Sequence, residues 1–234
     1  MKQTSVPIQG IKVFPFYSRT ELLEVVAQEP KILIAINAEK LLHSSEDLKR
    51  IINSNIGYAD GIGATLALHK KGFKKAIKIP GCELWLNIVK YFYYTKTFYL
   101  LGSTQEVITD TVFKLQQNFP GIQIVGYRNG FLKTDIEKEK VLQEICDKKP
   151  DVVFVAMGSP KQELLMEEMQ SRHWAIYQGL GGSFDVYTGK LKRAPQFWIN
   201  LRLEWFYRLL LEPKRIRRQI HLVRFFWLLL IHKI

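Results

Sequence analysis

The stretch that decides the fold class is Val152-Val-Phe-Val-Ala156-Met-Gly158-Ser-Pro160-Lys-Gln162-Glu163. A short apolar run ends in glycine, and the proline after it suits the first turn of a helix, which the periodicity predicts over 161–172. The same alternation of apolar runs and amphipathic stretches recurs along the chain. Runs this apolar do not fit a sheet that has one solvent-exposed face. We therefore expect an α/β fold, with a Rossmann-like, largely parallel sheet that carries helices on both faces.

The remaining elements follow from the same two patterns. Buried strands are predicted at Ile32–Ile36, Phe98–Leu101, Ile122–Tyr127, Val152–Met157 and Ala175–Leu180. Helices are predicted near Asp47–Asn53, Ala64–Lys71, Glu83–Tyr94, Thr104–Asn118, Asp135–Lys148 and Lys161–Arg172. Ser103 is a candidate cap for the helix that follows it, so that helix N-termini would face an anion.

Polar residues follow several predicted strands, and in such sheets ligands bind at the carboxyl ends of the strands. Asp60 is prominent because Gly61 and Gly63 allow a ligand to approach the backbone, although Asp-Gly is also an ordinary turn. Asp185 in Ser183-Phe-Asp185 is a similar case, since this pattern also caps backbone groups. The other candidates at strand ends are Asn37, Glu39 and the Lys161-Gln162-Glu163 stretch.

Positive charge is concentrated in the C-terminal segment. The formal net charge is +12, and residues 190–234 carry +9 of it, which points to an anionic partner such as a nucleotide, a nucleic acid or an acidic lipid surface. Two helical stretches are predicted at 196–211 and 214–231, and the second is basic and amphipathic. The chain therefore divides into an α/β core, residues 1–194, and a basic helical appendage, residues 195–234.

Several classes of site are absent from the sequence. There is no Walker A motif, and Gly179-Leu-Gly181-Gly182 lacks the spacing of a dinucleotide fingerprint. No Asp-x-Asp pair is present to hold a metal against a sugar nucleotide, and the histidines are scattered. We expect no metal and no cofactor. Cys82 and Cys146 lack metal-ligand spacing and are expected to be reduced thiols of a cytoplasmic protein.

Six ordered blocks between about Ile8 and Arg224 resemble the WecG/TagA/CpsF glycosyltransferase family, most closely its WecG branch. The blocks are Ala35-Ile-Asn37-Ala-Glu39-Lys40, Tyr58-Ala-Asp60-Gly61-Ile62, Ala156-Met-Gly158-Ser-Pro160-Lys-Gln162-Glu163, Gly179-Leu-Gly181-Gly-Ser-Phe-Asp185-Val-Tyr-Thr-Gly189, Lys192-Arg193-Ala-Pro195, and Leu203-Glu204-Trp205-Phe-Tyr207-Arg208 with Glu212-Pro213-Lys-Arg215.

The resemblance implies an inverting, metal-independent transferase, peripheral on the inner face of the cytoplasmic membrane. The WecG branch moves N-acetylmannosaminuronic acid from UDP to undecaprenyl-diphosphate-linked N-acetylglucosamine, an intermediate of enterobacterial common antigen. The TagA branch moves N-acetylmannosamine to the same kind of acceptor. The implied partners are a UDP-sugar donor, a polyprenyl-diphosphate-linked acceptor and a membrane surface. The oligomeric state stays open.

The resemblance also implies roles for particular residues. Asp60 would be the general base that takes the proton from the acceptor hydroxyl. Asn37 and Gln162 would orient the sugar hydroxyls or the diphosphate, with Asp185 as a further substrate-binding candidate. The family's tail arginines correspond to Arg208, Arg215 and Arg218, which would close over the pocket and stabilise the UDP leaving group.

Three positions depart from the family pattern. Lys78 replaces a family arginine and loses its bidentate geometry. Glu83 replaces an aspartate, and Ala35 replaces a threonine of some relatives.

Two other classes of function compete with the glycosyltransferase. A nucleic-acid-binding module would need exposed aromatic rings in a basic groove. The tail aromatics alternate with Leu and Ile at helical spacing, so we expect no nucleic acid partner. A non-catalytic scaffold would keep the fold without the chemistry.

Overall fold

The computed structural model describes residues 4–192, 194–195, 197–198, 207 and 216–231, and in the last segment it describes side chains from residue 223 onward. A small antiparallel hairpin, β1 (Val6–Ile8) and β2 (Ile11–Val13), precedes the main sheet. The main sheet has six strands, all parallel. They are β3 (Ile32–Ile36), β4 (Ile56–Ala59), β5 (Thr97–Gly102), β6 (Gln123–Arg128), β7 (Val152–Ala156) and β8 (Ile176–Gly179), in the spatial order β4-β3-β8-β7-β5-β6.

Helices connect the strands and cover both faces of the sheet. They are α1 (Arg19–Gln28), α2 (Ala38–His43), α3 (Glu46–Asn53), α4 (Ile62–Lys70), α5 (Gly81–Phe92), α6 (Gln105–Asn118), α7 (Asp135–Lys148), α8 (Lys161–Arg172), α9 (Ser183–Thr188) and, near the C-terminus, α10 (Ile216–Leu230). The fold class predicted from the sequence is therefore confirmed.

The core consists of two apolar layers, one on each face of the sheet. Successive strand residues alternate between them, as the period of two in a strand requires. In β7, Val153 and Val155 face the layer covered by α3, α4, α7 and α8, whereas Val152 and Phe154 face the layer covered by α1, α5 and α6. Burial on both faces is why the strands are almost uniformly apolar.

The predicted strands and long helices are confirmed to within about two residues at each end. β4 was not predicted, because Ile56-Gly-Tyr-Ala is short and contains a glycine. The hairpin, α1, α2 and α9 were not predicted either. The expectation that Ser103 caps α6 was wrong. Ser103 has a positive φ of 53°, and the neighbouring Thr104 caps the helix by accepting a hydrogen bond from the Val107 N–H.

The C-terminal helix α10 packs on the core beside α2 and α4. Phe225 is fully buried, and Leu228 and Leu229 lie partly buried against the same layer. The second predicted tail helix is thus confirmed over 216–230, whereas most of the first, 196–211, lies outside the described residues. In the part of the chain that the structure describes, none of the helices is both long and apolar enough to cross a bilayer.

Candidate active site

A cleft of about 790 Å³ opens at the carboxyl ends of β3, β4, β7 and β8. This is where an open parallel sheet binds its ligands, because the loops after neighbouring strands converge there. The structure brings five of the sequence-predicted site residues together in its lining: Asn37, Glu39, Asp60, Lys78 and Gln162.

Asp60 follows β4, and its carboxylate is held by the start of α5. Its Oδ1 accepts a hydrogen bond of 2.7 Å from the backbone N–H of Gly81, the first residue of that helix. Its own backbone N–H donates to the carbonyl of Ile36 at the end of β3. A Cβ at residue 81 would lie 2.9 Å from the Tyr58 hydroxyl, so glycine lets α5 start close enough to fix the carboxylate.

Two buried side chains lie behind Asp60. Gln178, fully buried in β8, donates from Nε2 to the Gly81 carbonyl at 3.2 Å and to the Tyr58 hydroxyl at 3.3 Å. Burial raises the pKa of Tyr58 well above its ordinary value, and the negative charge of Asp60 raises it further. Tyr58 is therefore a neutral phenol at physiological pH, and Gln178 holds both it and the first turn of α5.

Asn37 ends β3 and caps the helix that follows. Its Oδ1 accepts from the Lys40 N–H at 2.9 Å, so the cap fixes the side chain at the edge of the cleft. No hydrogen bond donated by its Nδ2 is found among the described residues. The amide can therefore donate to a bound hydroxyl or phosphate oxygen.

Gln162 connects two of the cleft loops. Its Oε1 accepts from the N–H groups of Gly158, at 3.2 Å, and of Gly181, at 3.0 Å. Its Nε2 donates to Glu163 Oε1 at 3.2 Å. A Cβ at Gly179 would lie 2.4 Å from this nitrogen. Both polar atoms are thus engaged within the protein, and the contribution visible in the structure is to hold the loops after β7 and β8 in place.

A buried ion pair lies beneath these loops. Lys40 Nζ is 3.0 Å from Glu163 Oε1 and donates to the Ala35 carbonyl at 3.0 Å. The side chains are 11% and 1% exposed, respectively. Glu163 Oε2 is buried and has no hydrogen-bond partner among the residues that the structure describes. The lysine compensates the buried carboxylate, so this pair adds little net charge to the cleft.

Among the described residues of the cleft lining, Lys78 is a cation that is available for a ligand. It is half-buried in the loop before α5, and the next residue, Ile79, donates its backbone N–H to the carbonyl of Ala59, which precedes Asp60. Neither an ion pair nor a hydrogen bond of its side chain is found within the described part of the chain. A cation in this state can compensate a phosphate or a carboxylate of a bound ligand.

The remaining predicted residues lie elsewhere. Asp185, in α9, does not line the cleft, and its Oδ1 accepts from the Ser103 hydroxyl at 3.0 Å. Arg208 and Arg215 lie outside the described residues; Arg218 lies in α10, but its side chain is outside them too. Within the described residues, no group of three His, Cys, Asp or Glu side chains could hold a metal ion.

An all-parallel sheet with a polar cleft at the carboxyl ends of its strands defines a Rossmann-like α/β protein that binds its ligand in that cleft. The sequence matches the family described as Glycosyl transferase WecG/TagA/CpsF family over residues 6–234. The chain belongs to this family, and it is accordingly a glycosyltransferase of surface polysaccharide synthesis.

Lys40 and Gln178 were not predicted as site residues, and Glu163 was predicted only as part of the Lys161-Gln162-Glu163 stretch, without a partner. Their partners are distant in the sequence, and local patterns do not show them. One signal was available for Gln178, since it is a polar side chain within the buried strand Ile176-Tyr-Gln-Gly. A polar group there must have a partner in the interior.

Proposed function

We propose that this protein transfers N-acetylmannosaminuronic acid from UDP to undecaprenyl-diphosphate-linked N-acetylglucosamine, with inversion and without a metal. The observation that carries the proposal is the position of Asp60 in the cleft, with Oδ1 fixed by the Gly81 N–H at 2.7 Å. A rigidly held carboxylate at a ligand cleft is the group that a base-assisted displacement requires. The uronic acid donor follows from the WecG-like sequence blocks.

In this reaction Asp60 removes the proton from the attacking hydroxyl of the acceptor sugar. The hydroxyl oxygen forms a bond to the anomeric carbon of the donor sugar, on the face opposite UDP. The bond from that carbon to the diphosphate oxygen breaks, and UDP leaves with the electron pair. Lys78 compensates negative charge on the donor and Asn37 orients a hydroxyl, roles supported by the position of both residues in the cleft lining. The tail arginines, Arg208, Arg215 and Arg218, are assigned to the leaving diphosphate by the family resemblance.

We further propose that the protein works at the inner face of the cytoplasmic membrane, with residues 1–194 as the catalytic core and 195–234 as anchor and lid. The lipid-linked acceptor supports this location, and so does the packing of α10 beside the helices that begin at the cleft. Removal of the chain after Leu211 should release the protein from membranes and reduce transfer. Unchanged transfer to a lipid acceptor would refute the lid.

The test compares UDP-N-acetylmannosaminuronic acid with UDP-N-acetylmannosamine as donors, on a synthetic polyprenyl-diphosphate N-acetylglucosamine acceptor with EDTA present. Transfer of the uronic acid supports the proposal, whereas transfer of the neutral sugar alone would indicate a TagA-like activity. Asp60→Asn should lower kcat by about 10²–10⁴-fold with the fold retained. Asp147→Asn, an exposed position at the end of α7, is the matched control. An active Asp60→Asn variant would refute the base.

A further inference from the structure

The turn between α4 and α5 presents four lysines to solvent. Lys70, Lys71, Lys74 and Lys75 are all exposed, and none has an ion-pair partner among the described residues. No Asp or Glu occurs between Gly61 and Cys82. Within the described residues, the positive charge of this lysine turn, residues 70–75, is therefore not compensated.

The turn has a fixed conformation. The Gly72 and Phe73 N–H groups donate to the carbonyls of His69 and Leu68 at the end of α4, and Gly72 takes a positive φ of 97°. His69 Nε2 pairs with the Ala76 carbonyl at 2.8 Å, closing the other side of the turn. Phe73 packs against the core layer. Because Phe73 anchors the turn to the core, the lysines on either side of Phe73 lie on the solvent side of the turn.

The exposed edge of α10 lies next to the lysine turn. Lys70 Nζ donates to the carbonyl of Leu229, which joins the turn to the C-terminal end of the helix. While Phe225 is buried against the core, several apolar residues of α10 and its end remain exposed. They are Val223, Trp227, Leu230 and Ile231, at 68%, 58%, 76% and 38% exposure. The 216–231 segment contains no acidic residue either.

We propose that the lysine turn and the exposed edge of α10 together form a docking surface for an anionic phospholipid bilayer. A bilayer surface has negatively charged headgroups and, beneath them, the boundary with the acyl chains. The lysines match the headgroups by charge, and the exposed tryptophan and aliphatic side chains can enter the boundary region. The inference rests on the proposed lipid-linked acceptor, and it adds the lysine turn of the core to the basic appendage of residues 195–234 as a part of the membrane-binding surface.

Co-sedimentation with vesicles tests the proposal on the full chain. The variant Lys71→Gln/Lys74→Gln/Lys75→Gln keeps Lys70 and its contact with α10. It should bind vesicles of equal parts phosphatidylglycerol and phosphatidylcholine about tenfold more weakly or worse. The charge-matched control is Lys90→Gln/Lys140→Gln/Lys149→Gln, which removes the same charge at exposed positions on α5 and α7 or directly after α7. It should bind as the parent does.

Two further variants separate charge from fold and from apolar contact. The triple replacement of Lys71, Lys74 and Lys75 by Arg should retain binding, and added salt should weaken the parent on anionic vesicles. Trp227→Ala should weaken binding to both anionic and pure phosphatidylcholine vesicles. Equal loss of binding in the two glutamine triple variants would overturn the proposal, as would a parent that prefers RNA or a second copy of itself to vesicles.

A transfer assay with a short, water-soluble diphosphate-linked acceptor separates this proposal from the proposed function. The glutamine variant of the lysine turn should transfer to this acceptor at the parental rate. If the glutamine variant keeps both the transfer rate and the vesicle binding of the parent, the docking surface is refuted and the proposed function stands. If the parent does not transfer at all, the proposed function fails while the vesicle measurements still decide the docking surface.

Discussion

Replacing Lys40 by methionine tests the buried ion pair beneath the cleft. Methionine has nearly the length of the lysine stem but no charge, so Glu163 loses the cation 3.0 Å from its Oε1. The carboxylate is 1% exposed, and water cannot replace the lysine without a rearrangement. Its remaining hydrogen bond comes from Gln162 Nε2 at 3.2 Å.

The expected loss of stability is large. Breaking a buried pair by removing one partner costs about 3–5 kcal/mol, and the retained hydrogen bond from Gln162 favours the lower part of that range. Lys40→Met should therefore lose about 3–4 kcal/mol of unfolding free energy.

Urea unfolding of the parent and of Lys40→Met at pH 7 measures this loss. Lys49→Met is the control, because Lys49 pairs with a Glu46 side chain that is 89% exposed. The cost of the control should be about 0.5 kcal/mol or less. A loss for Lys40→Met as small as that of the control would refute the reasoning, since Glu163 would then have reached solvent.

Three further predictions concern single side chains. Gly179→Ala places a Cβ 2.4 Å from Gln162 Nε2, so kcat/KM should fall about tenfold or more with an unchanged circular dichroism spectrum; full activity would contradict the close contact. Gln178→Met removes the amide that holds Tyr58 and the Gly81 carbonyl next to Asp60. The kcat should fall with little change in the KM for the donor, and the acidic limb of the pH profile of kcat should move. A change in KM alone would argue against a positioning role. Burial raises the pKa of Tyr99 far above its ordinary value. The unfolded chain therefore releases this proton first, and the free energy of unfolding falls as pH rises above about 10. Urea unfolding at alkaline pH should show a smaller fall of this free energy with pH for Tyr99→Phe than for the parent, and equal falls would contradict the prediction.

The strands of the main sheet could be predicted because burial on both faces leaves a local signal. Val152–Ala156 is apolar at every position, and its two neighbours in the sheet, β5 and β8, were also found. β4 was missed because Gly57 interrupts a run of four residues. The reason for that glycine is a long-range contact, since a Cβ there would lie 2.7 Å from the Lys12 carbonyl. A local pattern contains no information about such a neighbour.

The same distinction holds for the candidate site. Asn37 and Asp60 could be selected from the sequence because residues at strand ends gather at one edge of a parallel sheet. The contacts that fix the site connect residues far apart in the chain, such as Lys40 with Glu163 and Gln178 with Gly81. These pairings depend on the strand order, which places β8 beside β3. The strand order is a property of the whole fold, and local spacing does not contain it.

The direction of α10 connects the proposed docking surface with the cleft. Phe225 packs against Gly63 at the start of α4, and Leu229 meets Lys70 at the end of α4. The two helices therefore run in the same direction, side by side. Because α4 begins directly after Asp60 and Gly61, the edge of α10 extends from the neighbourhood of the base to the lysine turn. A bilayer bound along this edge would pass close to the cleft, and a lipid-linked acceptor could then present its sugar to Asp60 while its lipid chain stays in the membrane.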